Sequence, residues 1–124
     1  EGQYTEDTYF DGYTNQLEFV SREIVRSIQK LLDESATSPI IILQGDHGPW
    51  KQQGESRVSI LNAYYLPGHQ DLVYSAISPV NSFRIVFNEY FNTNYLLLDD
   101  ASYESSYANV YDFKLQPTSC DEAK

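Results

Sequence analysis

Pro39-Ile40-Ile41-Ile42-Leu43-Gln44-Gly45-Asp46-His47-Gly48-Pro49 is an apolar run that stops on an acid and an imidazole. Ile40 to Leu43 show no alternation of apolar and polar residues, which is the pattern of a strand buried on both faces, as in a parallel sheet covered by helices. Gly45 and Gly48 bracket Asp46 and His47, so the two polar residues leave the strand at its carboxyl end on a loop free to turn sharply. Open α/β sheets bind their ligands at that end. A carboxylate beside an imidazole offers an oxygen and a nitrogen to a zinc- or manganese-like cation, or a base with its orienting partner. The plainer alternative has Asp46 capping the turn and His47 as a satisfied surface residue. Two ligands from one loop also fall short of the three or four that a full site needs.

Working outward, Leu17, Val20, Ile24, Ile28, Leu31 and Leu32 recur at helical spacing, with Arg22, Glu23, Arg26, Gln29 and Lys30 on the other faces. Asn15 followed by Glu18 has the spacing of a capping box, and Thr14 is the alternative cap. The expectation is a helix over 15–34, a lead-in loop over 1–13 and a polar break from Asp33 to Ser38. Beyond the Asp-His pair, Trp50 to Ser56 is polar and reads as a loop placed to cover a ligand. Val58 to Leu66 reads as a second strand of mixed burial, ended by Pro67-Gly68 with His69, Gln70 and Asp71 in the turn.

Ser78-Pro79 has the form of an N-cap with proline at the first helical position. The helix that follows carries an apolar stripe of Phe83, Val86, Phe87, Tyr90 and Phe91, with Asn81, Arg84 and Asn88 off it, and closes at Asn92-Thr93-Asn94. Tyr95 to Leu98 fits a short strand or an apolar plug stopped by Asp99-Asp100, and a short strand is expected around Val110 to Lys114 before a loose tail. The fold class is α/β: one domain over 1–124, with the 40–44 strand central in a short sheet between helices near 15–34 and 79–91.

A chain of 124 residues has room for one core. Its net charge of -10, with no basic stripe, repels nucleic acid and anionic lipid and excludes both as partners. No apolar run is long enough to cross a bilayer and none reads as a signal peptide. Cys120, the sole cysteine, excludes an intrachain disulfide. With no Met at any position, the sequence reads as a processed product or an excised piece.

Other polar groups have two readings each. His69 would join Asp46 and His47 only if the two strands were parallel neighbours; otherwise it is an exposed turn residue. Arg57 suits a phosphate or sulfate oxygen held bidentately, or a structural ion pair, and Arg84 faces the same choice. Asp99 and Asp100 point different ways on a regular backbone and read as solvated. Ser56 and Ser78 lack a neighbouring base, and no Gly-x-Ser-x-Gly elbow occurs.

The run from Tyr13 to Gly48, with Ser38-Pro39-Ile-Ile-Ile-Leu-Gln-Gly-Asp46-His47-Gly48 at its end, resembles the carboxy-terminal part of sulfatase-like proteins of the alkaline phosphatase superfamily. These include phosphotransferases of the lipoteichoic acid synthase type. Arg57 to Pro67 and Ile77-Ser78-Pro79-Val80-Asn81-Ser82-Phe83-Arg84 resemble the bacterial, membrane-anchored branch of that group. The resemblance extends from about Tyr13 to about Tyr103. It implies a partial three-layer α/β/α sandwich, Asp46 and His47 as ligands of a divalent metal (Mn, Zn, Mg or Ca), and a sulfate or phosphate ester substrate. It also implies a parent with an extracytoplasmic domain. The family's nucleophile and first acidic ligands lie upstream, and nothing before Asn15 stands for them. The piece is therefore expected to be inactive alone and to work with the rest of its parent chain. A degenerate, non-catalytic module serving assembly or recognition is the other expectation.

Overall fold

The computed structural model describes residues 5–48, Val58 and residues 60–116. The chain divides into two compact units, residues 1–39 and 40–124.

The first unit is the helix α1, Glu6–Glu34. It begins at Thr5, whose side chain accepts from the Thr8 amide at 3.3 Å, so the first turn is capped ahead of the Asn15 start expected from the sequence. The lead-in loop is thus helical from Glu6. Thr5 and Thr8 also exchange contacts through both hydroxyls, and this local closure outweighs the weak periodicity of residues 6–13. Glu18 with Arg22, Glu23 with Arg26, and Lys30 with Glu34 form ion pairs one turn apart along its polar faces. Leu17, Val20, Leu31 and Leu32 of the apolar stripe are exposed within the described structure, while Ile24 and Ile28 are intermediate.

The second unit opens with β1 (Ile41–Gln44) and β2 (Asn62–Tyr65), which pair antiparallel in the register Ile41↔Tyr65 to Gln44↔Asn62. This corrects the parallel pairing expected from the unbroken apolar run. Both faces of β1 are only partly covered, so four apolar residues in a row do not report the direction of the neighbouring strand. The second strand is also shorter than Val58 to Leu66. Asn62 and Tyr64 alternate in burial with the exposed Ala63 and Tyr65.

Pro67-Gly68 turns the chain after β2: the His69 amide donates to the Leu66 carbonyl at 2.9 Å and Gly68 sits at φ 83°. Proline followed by a left-handed residue is the chemistry of a type II turn. Gly68→Ala should therefore lower stability by about 1–2 kcal/mol through backbone strain, because no atom lies within 4 Å of an added Cβ. Urea unfolding measures it.

A short 3-10 turn at Gln70–Leu72 leads to α2, Pro79–Phe91. The Ser78 side chain accepts from the Asn81 amide, Pro79 follows as read, and Asn92 closes the helix in the left-handed conformation at φ 59°. Of the expected apolar stripe, Val86 is buried and Tyr90 intermediate, but the phenylalanines are not. Asn81, Ser82, Ile85 and Val86 are buried, while Phe83, Phe87 and Phe91 form an exposed aromatic row touching Tyr95. Leu66, Ile77, Ile85 and Val86 are the buried hydrophobic residues among those described.

Tyr95 to Leu98 is neither strand nor plug, and its leucines are exposed. β3 (Ser102–Ser106) and β4 (Asn109–Gln116) form an antiparallel hairpin, so the strand expected at Val110 to Lys114 is longer and has a partner that the sequence left unread. The observed class is mixed helix with small antiparallel sheets.

Candidate functional site

Asp46 and His47 follow the end of β1. The Gly45 amide donates to the Leu61 carbonyl at 2.9 Å, so the hairpin continues one bond past Gln44 and then releases the chain. Gly45 has no positive φ, and an added Cβ would meet its nearest atoms at ordinary contact distances, so this turn does not depend on glycine there. Asp46 Oδ1 accepts from the adjacent His47 amide at 3.0 Å, a contact between neighbours rather than the two-residue bond of an Asx-turn. Its other oxygen remains available: the Asp46 side chain is 90% exposed and that of His47 49%.

His47 Nδ1 lies 2.7 Å from the Gly48 carbonyl oxygen. A carbonyl only accepts, so Nδ1 carries a proton, and in the neutral ring the lone pair belongs to Nε2. Histidines that ligate metals are oriented by such a bond. Nε2 stands 3.7 Å from Asp46 Oδ2. Two ligands of a tetrahedral zinc at ordinary bond lengths are separated by roughly 3.3 Å. The pair therefore fits one edge of a metal site with small adjustment. Among the described residues, no group of three or more His, Cys, Asp or Glu side chains converges to complete it.

His69 does not join the pair. In the antiparallel register the end of β2 lies beside the start of β1, so the turn carrying His69 is at the opposite end of the hairpin from Asp46 and His47. Its Nδ1 is 3.3 Å from Glu89 Oε2, and its ring meets Tyr90 edge to face at 5.0 Å between centroids. Arg57 and the covering loop from Trp50 to Ser56 lie outside the described residues. Arg84 is turned to its own fold: Nη1 donates to the Leu96 carbonyl at 3.0 Å, and its guanidinium carbon lies 5.7 Å from the Tyr95 ring centroid.

Two polar clusters escaped the sequence reading. Tyr64 and Ser82 meet at 2.6 Å beneath Gln44, the last residue of β1. The second is centred on Asn81, which is fully buried. Its amide donates to the Leu98 carbonyl at 2.7 Å, Asp100 Oδ1 at 2.9 Å and the Tyr74 hydroxyl at 3.1 Å, and its oxygen accepts from the Leu98 amide at 2.9 Å. Asn88 grips Tyr95 in the same two-point manner, at 2.9 Å and 2.7 Å. The residues read as lying off the apolar stripe thus hold the extended segment 95–100 along α2.

Asp100 is a half-buried cap, contrary to the solvated loop acid expected. It accepts from the Ser78 amide and the Tyr74 hydroxyl, each at 2.6 Å, at the start of α2. Burial alone pushes its carboxyl upward, but the hydrogen bonds from Ser78, Tyr74 and Asn81 outweigh it and leave Asp100 below the usual carboxylate range. A lowered folded-state value means that the unfolded chain takes up the proton first. The stabilisation from Asp100 is accordingly complete above about pH 5 and lost as the pH falls through and below about 4. Asp100→Asn should flatten that part of the stability-pH curve; an unchanged acid limb would remove Asp100 as its source.

Among the described residues, no helix is long and apolar enough to cross a membrane. The chain matches no protein-family model, no curated protein and no solved structure.

Proposed function

We propose that this chain is the carboxy-terminal part of a metal-dependent sulfatase- or phosphatase-like hydrolase or phosphotransferase of the alkaline phosphatase superfamily, lipoteichoic acid synthase-like branch. In this reading the β1-β2 hairpin with α2 belongs to a larger three-layer α/β/α sandwich completed by the rest of the parent chain. Asp46 and His47 contribute two ligands of a divalent cation. The observation that carries the reading is the pairing of His47 Nε2, its lone pair fixed by the bond from Nδ1 to Gly48, with Asp46 Oδ2 at 3.7 Å on an exposed turn. The metal, when bound, polarises the transferring sulfuryl or phosphoryl group and activates the nucleophile, which the parent supplies from elsewhere. What these residues do is local: Asp46 neutralises charge and His47 presents one fixed nitrogen. The substrate is an anionic sulfate or phosphate ester, and neither nucleic acid nor membrane lipid contacts this segment. The test is Asp46→Ala and His47→Ala in the parent protein, read by bound metal and ester hydrolysis.

A second reading, a non-catalytic module for assembly or recognition, draws on the aromatic row of Phe83, Phe87 and Phe91 and on the exposed Tyr103, Phe113 and Leu115 of the β3-β4 hairpin. It predicts that neither substitution changes metal content or activity.

A further inference from the structure

Beneath the Asp-His turn, hydrogen bonds run in one direction. Ser82 is 2% exposed, and its single hydroxyl proton is directed to the Ser78 carbonyl at 2.9 Å. Its oxygen can then only accept at the 2.6 Å contact with Tyr64, so the phenol donates to it. Tyr64 and Ser82 in turn leave oxygen lone pairs for Gln44 Nε2, which lies 3.5 Å and 3.4 Å from them. The order Gln44 to Tyr64 to Ser82 to the Ser78 carbonyl satisfies each group and ends on the turn that caps α2. Gln44 is the last residue of β1, and the next amide is held by Leu61. The chain entering the Asp-His turn is therefore fixed by its backbone to the β2 side and by its side chain to α2.

We infer that Tyr64 and Ser82 are positioning residues for Asp46 and His47: they fix the carboxyl end of β1 so that the carboxylate and the imidazole leave it with a set separation. The inference rests on the metal-ligand reading above. Neither hydroxyl belongs to the pair itself. Buried Ser82 is held by contacts on both sides, and Tyr64 is spent as the donor that completes the chain. Removing either takes away one of the two acceptors of Gln44 Nε2 and breaks the bond between the two hydroxyls, which loosens the exit of the strand while leaving both ligands in place. Supporting groups of this kind commonly alter metal affinity by about 10- to 100-fold.

The experiment uses the metal-free parent protein, isotope-labelled, with manganese(II) alone as the probe. The readouts are the concentration at which paramagnetic broadening of the Asp46 and His47 amides is half complete, and the imidazole nitrogen shifts of His47, compared among the wild type, Tyr64→Phe, Ser82→Ala and Asp46→Ala. The expected result is selective broadening in the wild type, loss of that selectivity in Asp46→Ala, and at least a fivefold higher half-broadening concentration in Tyr64→Phe and Ser82→Ala. The His47 nitrogen shifts should also move away from the single Nδ1-protonated pattern in those two variants. Tyr64→Phe retains the ring and decides the matter if Ser82→Ala does not fold. Wild-type broadening and nitrogen shifts in both hydroxyl variants, alongside a silent Asp46→Ala, would overturn the positioning role and leave the ligand pair standing. Broadening in the wild type no more selective than in Asp46→Ala would overturn the ligand pair, and the positioning role with it.

Discussion

Asp46→Ala in the parent protein is expected to lower metal-dependent ester hydrolysis by at least about 100-fold, with the fold intact. The magnitude follows from what is lost. Changes in groups that merely orient ligands already cost about 10- to 100-fold in affinity or activity, and Asp46 is assigned a direct ligand. Stability should hardly move, because its side chain is 90% exposed and the bond that it accepts from the adjacent His47 amide is exposed too. His47→Ala should behave alike, since removing the imidazole deletes the nitrogen donor and leaves the β1-β2 register untouched. Activity and bound metal measured on the same preparations separate this from a folding defect: loss of both in a variant with a wild-type unfolding curve is the expected outcome. A variant that keeps its metal and its rate would favour the assembly or recognition module instead.

The largest effect on stability is expected at Asn81. Asn81→Ala removes the two N–H donors shared among Tyr74, Leu98 and Asp100 together with the acceptor of the Leu98 amide, and leaves the Leu98 amide and carbonyl without their partner. About 2–3 kcal/mol should be lost, the lower part of the range for so many bonds because Leu98 is half exposed and water can replace some of them. Asn81→Asp is the sharper test. It keeps the shape of the side chain but turns the donor that faces Asp100 and the Leu98 carbonyl into an acceptor. It should destabilise at least as much as alanine at neutral pH and recover on acidification, when one of the two carboxyls can donate. Urea unfolding at neutral pH and near pH 4 measures both effects. Equal stability of Asn81→Asp and the wild type at neutral pH would contradict the network as described.

Local signals in the sequence translated well into structure. Ser78-Pro79, Asn92 and Pro67-Gly68 each act through their own φ or their own side chain, and each terminates or caps an element where it was read. Signals that depend on the partner did not translate. The unbroken Ile-Ile-Ile-Leu run identified a strand but not an antiparallel neighbour, and with that register the alternative in which His69 joins Asp46 and His47 falls away and its reading as a turn residue stands. The aromatic spacing of Phe83, Phe87 and Phe91 suggested core, yet α2 buries its polar Asn81 and Ser82, because their hydrogen-bond partners arrive from segments far away in sequence. Asp100 was illegible for the same reason: its value lies in Ser78, 22 residues earlier. The Asp46-His47 turn was visible as a motif, whereas the chain of hydroxyls supporting it required the register of β1 on β2.

The most direct measurement is the anomalous scattering of a crystal of the parent protein grown with manganese. The account predicts a peak within coordination distance of both Asp46 Oδ2 and His47 Nε2, completed by ligands from the upstream part of the chain. A fully occupied metal site elsewhere in the parent, with Asp46 and His47 both turned to solvent and no peak between them, would contradict it.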